Sequence, residues 1–311
     1  MKELKLKAYG KINLSLDVVG KLPDGYHEIE SIMQDIDIFD DVAIKASHKD
    51  INGYRVMLDI TDKNLPKGPT NTAVKGALAV LEGYESDYNC FDISIVKKIP
   101  VAAGLAGGSS NGAITMLGIN KIIGYRYSLN ELMYIGAKIG ADFPFSIIMN
   151  AYKNKKHFNG MKGIDESGIT ALAKGIGDKL KVIDSFPSYV ILANPGISVP
   201  TKEVYENIDN CEMQNRPDTK ELVKSIESKK TEKIYSLMDN VMEEYTLKEY
   251  PKVLSLKKTI SDKFKADKVL MSGSGPTIVA YFSDEAKARK AYDENELDCK
   301  LWLSKTGMYK N

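Results

Sequence analysis

A glycine-rich segment between a strand and a helix constrains this chain more than any other feature. Phe91, Ile93 and Ile95 alternate as a half-buried strand does, Pro100 ends that strand, and AAGLAGGSSN follows. Met116, Ile119 and Ile123 then recur at helical spacing, marking a helix whose N-terminus is expected near Ser109 or Ser110. Gly104, Gly107 and Gly108 let the backbone approach another group closely, and Ser109 and Ser110 add hydroxyls. A helix start adds unsatisfied N–H groups and the positive end of its dipole. The segment is therefore either an anion pocket or a glycine-rich turn that caps a helix. It is neither a Walker A loop, which needs GxxxxGK followed by Ser or Thr, nor the GxGxxG fingerprint of a βαβ dinucleotide fold.

The rest of the chain decides what surrounds that segment. A length of 311 residues suits two domains, and 43% hydrophobic with 27% charged residues is ordinary for a folded protein. Forty-three Lys and Arg against 42 Asp and Glu leave a net charge of +1, so no global field draws the chain to nucleic acid or an anionic membrane. An anionic ligand must be met locally. Cys90, Cys211 and Cys299 are far apart and form no CxxC or Cys/His cluster, which argues against a zinc site or disulfide framework and fits a reducing cytoplasm. The N-terminus, MKELKLKAYGK, alternates charged and apolar residues and resembles neither a signal peptide nor a membrane span.

Leu4, Leu6, Ala8, Ile12, Leu14, Leu16 and Val18 predict a strand with one dry face, with Lys11, Asn13, Ser15 and Asp17 on the other. VGKLPDGYHE carries turn chemistry, so Tyr26 and His27 follow a reversal and precede a strand through Ile29, Ile32 and Met33. Ala73, Val74, Ala77, Leu78 and Leu81 predict a helix. Another runs from its N-cap Ser128 to about Ile139, with Gly140 ending it and Pro144 expected to stop any continuation. Residues 150–168 are rich in Lys, Asn and Gly without an apolar period and read as an exposed loop, and His48 and His157 read as exposed. Beyond them, YVILANPG, helical patterns over 221–228, 233–242 and 253–264, and the strands KVLM and TIVAYF predict a second α+β unit. The expected division is 1–165 and 166–311.

Four segments occur in the order and spacing of the GHMP kinases, a superfamily named for galactokinase, homoserine kinase, mevalonate kinase and phosphomevalonate kinase. They are GKINLSLDVVGKLPDGYHEI, PVAAGLAGGSSNGA, IGADFPF and LMSGSGPTIVAYF. DGYHEI, KxxPVAAGLAGGSS and the TKEVY after NPGISVP resemble the branch that transfers the γ-phosphoryl group of ATP to the 2-hydroxyl of 4-diphosphocytidyl-2-C-methyl-D-erythritol, on the non-mevalonate route to isoprenoid precursors. The resemblance covers nearly the whole chain. It implies a two-domain α+β fold, ribosomal-protein-like at the N-terminus and ferredoxin-like at the C-terminus, with ligands in the cleft between.

The same resemblance implies catalytic roles for Asp142 in GADFP and Lys11 in GKINL. It implies ATP contacts at Asn71, Lys97, Pro100, Gly104, Leu105, Ala106, Gly107, Gly108, Ser109, Ser110 and Asn111, with Asn71, Lys97 and Asn111 on the adenine side. Tyr26, His27 and Tyr205 match the cytidine end, and Asn13 a substrate-side position. Gly273, Ser274 and Gly275 in SGSGP form a turn between strands, or a loop closing over the substrate diphosphate or the ATP phosphates. ATP is the implied donor and Mg2+ is expected to screen its phosphates; no motif marks an acidic metal ligand, and Ser109 or Ser110 can contribute an oxygen.

Elementary chemistry agrees with those roles. Phosphoryl transfer draws its rate from positioning and from neutralising spreading negative charge. A carboxylate at Asp142 can accept the hydroxyl proton and an ammonium at Lys11 can draw charge off the attacking oxygen. Taken as isolated residues, they read as a turn aspartate and a strand lysine. Tyr26 and Tyr205 either sandwich a pyrimidine whose edge His27 reads, or pack as ordinary aromatics. Two other functions compete: a GHMP kinase for mevalonate, homoserine or a sugar, and a nucleotide-binding regulator without turnover, which the presence of both Lys11 and Asp142 disfavours. The nineteen residues 150–168 lie between GADFPF and ITALAKGIGD where the family runs almost directly on, either an inert excursion or a change to a lid or oligomer contact.

Overall fold

The computed structural model describes residues 1–85 and 87–308. They fall into two compact units built from separate stretches of chain: 1–10, 38–101 and 106–169 form the first, and 11–37, 102–105 and the chain from 170 onward the second. The expected division is a single cut after residue 165, whereas these units are not contiguous in sequence and the last crossing falls between Ile169 and Thr170. Strands β1 (Lys2–Lys21) and β2 (His27–Ser47) contribute to both units because each is far longer than an ordinary strand. From Ala8 to Val18 every residue of β1 is buried, which corrects the expectation of one dry face. Its polar residues form a bonded layer instead: Asn13 Nδ2 donates to Ser31 Oγ at 2.8 Å, Ser31 Oγ donates to the Ser15 carbonyl at 2.6 Å, and Asp17 accepts from Arg216 at 2.7 Å.

In the first unit β3 (Arg55–Ile60), α1 (Thr72–Leu81) and β4 (Cys90–Val96) form a crossover, with β3 parallel to β4. The second half of β2 pairs antiparallel with β4, from Asp41↔Val96 to Ser47↔Cys90. Helices α2 (Gly107–Ile122), α3 (Leu129–Ala137), α4 (Phe143–Lys153) and the short α5 (Lys155–Phe158) complete it. Small residues set the helix spacing: a Cβ at Gly76 would lie 2.8 Å from the Gly112 carbonyl, and one at Gly112 would lie 2.4 Å from the Phe143 ring. Ser128 caps α3 in a reciprocal box with Glu131, as its sequence predicts.

Four local expectations are corrected here. Helix α2 begins at Gly107, with Ala106 as N-cap at φ 54°, so Ser109 and Ser110 lie inside its first turn. Pro144 starts α4 rather than stopping a helix, because a first-turn proline lacks only an N–H that would have no partner there. Residues 150–168 are not an exposed loop. They hold the end of α4, α5 and a 3-10 turn at Ile164–Glu166, and Phe158, Met161 and Ile164, spaced by three, are buried. Asn154 brackets Lys7 of β1, donating to its carbonyl at 2.9 Å and accepting from its N–H at 3.2 Å, while Asn150 accepts from the Tyr9 N–H at 2.8 Å. The asparagines that suggested a loop thus pair with the backbone of β1. His48 is exposed, whereas His157 is half-buried against Phe158, and burial lowers its pKa.

In the second unit β5 (Thr170–Lys174) pairs with the first half of β2, from Ser31↔Ala173 to Gln34↔Thr170, and with β6 (Lys179–Val182). Then come β7 (Ser188–Asn194), α6 (Thr201–Ile208), α7 (Thr219–Glu227), α8 (Thr231–Leu237), α9 (Glu243–Glu249), α10 (Pro251–Lys263), β8 (Lys268–Met271), β9 (Ile278–Phe282), α11 (Glu285–Asp293) and β10 (Lys300–Thr306). Strands β7 to β10 form an antiparallel sheet in the order β10-β7-β9-β8. Counted from β7, that order is 4-1-3-2 with helical crossovers, the ferredoxin-like pattern. Helix α8 ends at Leu237, short of the expected 242, because Met238 is extended and Asn240 Oδ1 accepts from the Met242 amide at 3.0 Å in a turn. No helix among the described residues is long and apolar enough to cross a membrane.

Candidate functional site

In the first unit the candidate nucleotide residues are organised by an acid that the sequence reading missed. Asp40 is fully buried on the inward face of β2, in step with Val42, Ile44 and Ala46. Its Oδ1 accepts from the Lys98 and Ile99 amides at 2.6 and 2.8 Å, and its Oδ2 accepts from Asn111 Nδ2 at 2.8 Å and from Lys97 Nζ. Lys97 Nζ also donates to Asn111 Oδ1 at 3.0 Å. The structure therefore brings Lys97 and Asn111 together and fixes both on one carboxylate. A charged residue on the apolar face of an alternating strand was the available signal. Asn71 caps α1: its Oδ1 accepts from the Ala73 amide at 2.9 Å and its Nδ2 donates to the Pro66 carbonyl at 2.7 Å.

The glycine segment divides by role. A Cβ at Gly107 would meet Ile99 Cγ2 at 2.9 Å and Lys97 Nζ at 3.3 Å, so that glycine is required by packing. At Gly108, which is exposed, a Cβ would meet only Thr72 Oγ1 at 3.5 Å. Ser110 is buried, its hydroxyl donating to the Tyr9 carbonyl and accepting from Asn150 Nδ2, so its hydrogen bonds serve the fold. Ser109 is only half-buried, and the amides of Gly107, Gly108 and Ser109 have no acceptor within the helix they open. Ala106 and Pro100 are half-buried beside them. Asp142 is the half-buried N-cap residue of α4 and spends no side-chain bond on capping it.

Gly104 and Leu105 belong to the second unit. The Leu105 carbonyl accepts from the Lys11 amide at 3.1 Å. Gly104 has φ +73° and accepts from Ser272 Oγ at 3.0 Å, and a Cβ there would lie 2.2 Å from the Ser272 carbonyl. Its need for glycine is a chain contact. Lys11 is buried, 4% exposed, and donates to Asn13 Oδ1 at 2.9 Å. The SGSGP turn lies against this pair, since a Cβ at Gly273 would come 3.6 Å from Lys11 Nζ and 3.7 Å from Asn13 Oδ1. Gly273 and Gly275 take positive φ, and the peptide before Pro276 is cis. Asn240, also missed, donates to the Met271 and Gly273 carbonyls at 2.8 Å, while Ser274 Oγ meets Thr201 Oγ1 at 2.9 Å.

The aromatic residues are arranged differently from a Tyr26–Tyr205 sandwich. Tyr205 on α6 stacks on His27, with ring centroids 5.3 Å apart at 28°, and Tyr26 is 62% exposed. His27 Nε2 lies 2.9 Å from Asp209 Oδ1, and Lys21 Nζ donates to Asp209 Oδ2 at 2.8 Å. The Lys21 ammonium, with His27 adding to it, holds the Asp209 carboxyl below the usual carboxylate range. Among the described residues no group of three His, Cys, Asp or Glu gathers as a metal site.

The comparisons with known proteins supply the class. The family model of the GHMP kinases N terminal domain matches residues 71–150, and that of the GHMP kinases C terminal matches 222–300. The fold agrees: a crystal structure of 4-(cytidine 5'-diphospho)-2C-methyl-D-erythritol kinase superposes with a TM-score of 0.76 at 22% identity over 98% of this chain and all of that one. A homoserine kinase from Cytophaga hutchinsonii gives 0.67 at 19% identity over 98% of this chain and 95% of the other. The protein is a GHMP-type phosphotransferase of two α+β domains.

Sequence relatives narrow this further. The 4-diphosphocytidyl-2-C-methyl-D-erythritol kinase of Alkaliphilus oremlandii is 37% identical over 96% of this chain and 94% of its own, and that of Geobacillus kaustophilus is 40% identical over 93% and 92%. The chain belongs to the 4-diphosphocytidyl-2-C-methyl-D-erythritol kinase family.

Proposed function

We propose that the protein transfers the γ-phosphoryl group of ATP to the 2-hydroxyl of 4-diphosphocytidyl-2-C-methyl-D-erythritol, in the cytoplasm, on the non-mevalonate route to isoprenoid precursors. The near full-length similarity to kinases of that name carries the reading. In it, Asp142 accepts the hydroxyl proton, and Lys11, aimed by Asn13, neutralises charge on the attacking oxygen. The first-turn amides of α2, the exposed backbone at Gly108 and the Ser109 hydroxyl receive the nucleotide phosphates. Lys97 and Asn111, fixed by Asp40, lie on the adenine side with Asn71. Gly273, Ser274 and Gly275 line the substrate diphosphate beside Asn13, while Tyr26, His27 and Tyr205 hold the cytosine. Mg2+ enters as part of the nucleotide substrate, on phosphate oxygens and water.

Steady-state kinetics with the cytidine substrate, a base-free methylerythritol phosphate, mevalonate and homoserine test the reading. Tyr205→Ala removes an aromatic face, a change worth about 1 to 3 kcal/mol per stacked base, so kcat/KM for the cytidine substrate should fall roughly five- to 150-fold. The KM for ATP should stay as it was. An equal loss on the base-free compound, or faster turnover of mevalonate or homoserine by the unmodified protein, overturns the cytidine assignment.

A further inference from the structure

His27 has two ring nitrogens, and the fold uses one. Nε2 faces Asp209 Oδ1 at 2.9 Å, while the other carboxylate oxygen is held by Lys21 at 2.8 Å. An ionised carboxylate only accepts, so Nε2 must be the nitrogen that carries the proton. In the neutral imidazole this leaves Nδ1 as an acceptor. Nδ1 has no hydrogen-bond partner among the described residues, and the ring around it is fixed: the side chain is 4% exposed and stacked against Tyr205. Tyr205 and Asp209 are four residues apart at the end of α6, so one helix terminus supplies both the stacking ring and the carboxylate.

The position of that proton matters for the base. Cytosine presents an amino donor at C4, where uracil presents a carbonyl acceptor. An Nδ1 acceptor can bond the amino group but meets the uracil carbonyl lone pair to lone pair. We infer that Asp209 is a positioning residue that sets preference for cytidine over uridine substrates by holding His27 as its Nε2–H tautomer. The inference rests on the proposed role of His27 at the cytosine.

The test compares kcat/KM for the cytidine substrate and its uridine counterpart in the full-length protein and in Asp209→Ala, Asp209→Asn, Asp209→Glu and His27→Ala. Asp209→Ala frees the tautomer, and Asp209→Asn can present an amide N–H to Nε2 and invert it. Each should reduce the cytidine-to-uridine ratio about tenfold, the worth of one hydrogen bond, with the KM for ATP unmoved. Asp209→Glu should restore most of the preference. Nitrogen NMR of labelled histidine should show His27 Nδ1 unprotonated in the wild type and exchanging in Asp209→Ala. A purely structural role predicts equal losses on both substrates, and that result overturns the inference, as does a protonated Nδ1 in the wild type. If His27→Ala loses the preference and Asp209→Ala keeps it, only the role of Asp209 falls; if His27→Ala keeps it too, the cytidine reading falls with it.

Discussion

An aspartate at a helix N-cap ordinarily bonds the amides of its own first turn, and Asp142 does not. Its carboxylate sits at the N-terminal end of α4, and the proposed reaction gives it the substrate hydroxyl proton. Asp142→Asn should therefore lower kcat by about a hundredfold or more while ATP affinity stays nearly constant. Turnover above half of the wild-type value would remove Asp142 from the chemistry. Lys11→Met should behave similarly, since methionine fills the buried stem and removes the ammonium that bonds Asn13. Both groups are assigned to one substrate hydroxyl, so the double variant should lose less than the product of the single losses. Lys11 and Asp142 can be proposed from sequence because each stands in a short motif; Asp40 and Asp209 cannot, because their bonds to Lys97, Asn111 and His27 exist only after folding.

At the scale of elements, the glycine segment separates packing from ligand approach. Replacing Gly107 tests packing more than phosphate contact, because the new side chain enters Ile99 and Lys97. Gly107→Val should lower Tm by several degrees, in line with overpacking costs of about 1 to 3 kcal/mol. Gly108→Ala adds a methyl with no contact closer than 3.5 Å, at a helical position where alanine is the better residue. Its Tm should hold or rise while the KM for ATP increases several-fold, read by thermal melts and initial rates on the same preparations. An unchanged KM would leave the segment as a helix start alone. Periodicity located α1, α3 and α7 well, since each buries one face, and unbroken apolar runs located β7 and β9, which are buried on both. It failed at residues 150–168, where Phe158, Met161 and Ile164 are diluted by lysines and asparagines, and the asparagines that imitate a loop instead satisfy the backbone of β1. Proline misled at position 144 because it starts a helix as readily as it ends one.

Across the whole molecule, charge is nearly balanced, 43 basic against 42 acidic residues, so self-repulsion contributes little near neutral pH. Among the groups displaced furthest from their ordinary titration are two phenols in the core of the second unit, Tyr235 and Tyr281. Burial raises the Tyr235 pKa to about 12, partly offset by its bond to Ser188 Oγ, and burial pushes Tyr281, fully enclosed in β9, higher still. In both the folded pKa lies above the unfolded value of about 10, so the native state keeps a proton that the unfolded state releases. The stability this represents is fully present below about pH 10 and is lost as pH rises towards the folded pKa. Denaturant unfolding followed by circular dichroism should be flat from pH 7 to 9 and fall between about 10 and 12. Lysines also discharge in that window, and the Tyr235→Phe, Tyr281→Phe double variant controls for them because it keeps both rings and every lysine. It should be less stable than wild type at pH 8, having lost the hydroxyl bonds to Ser188 and the Asn13 carbonyl. The gap should narrow steadily above pH 10, because only the wild type has these two buried phenols to ionise, the other tyrosines being common to both proteins. Parallel curves through pH 12 would assign the alkaline loss to groups that both proteins share and remove the two buried phenols as its cause.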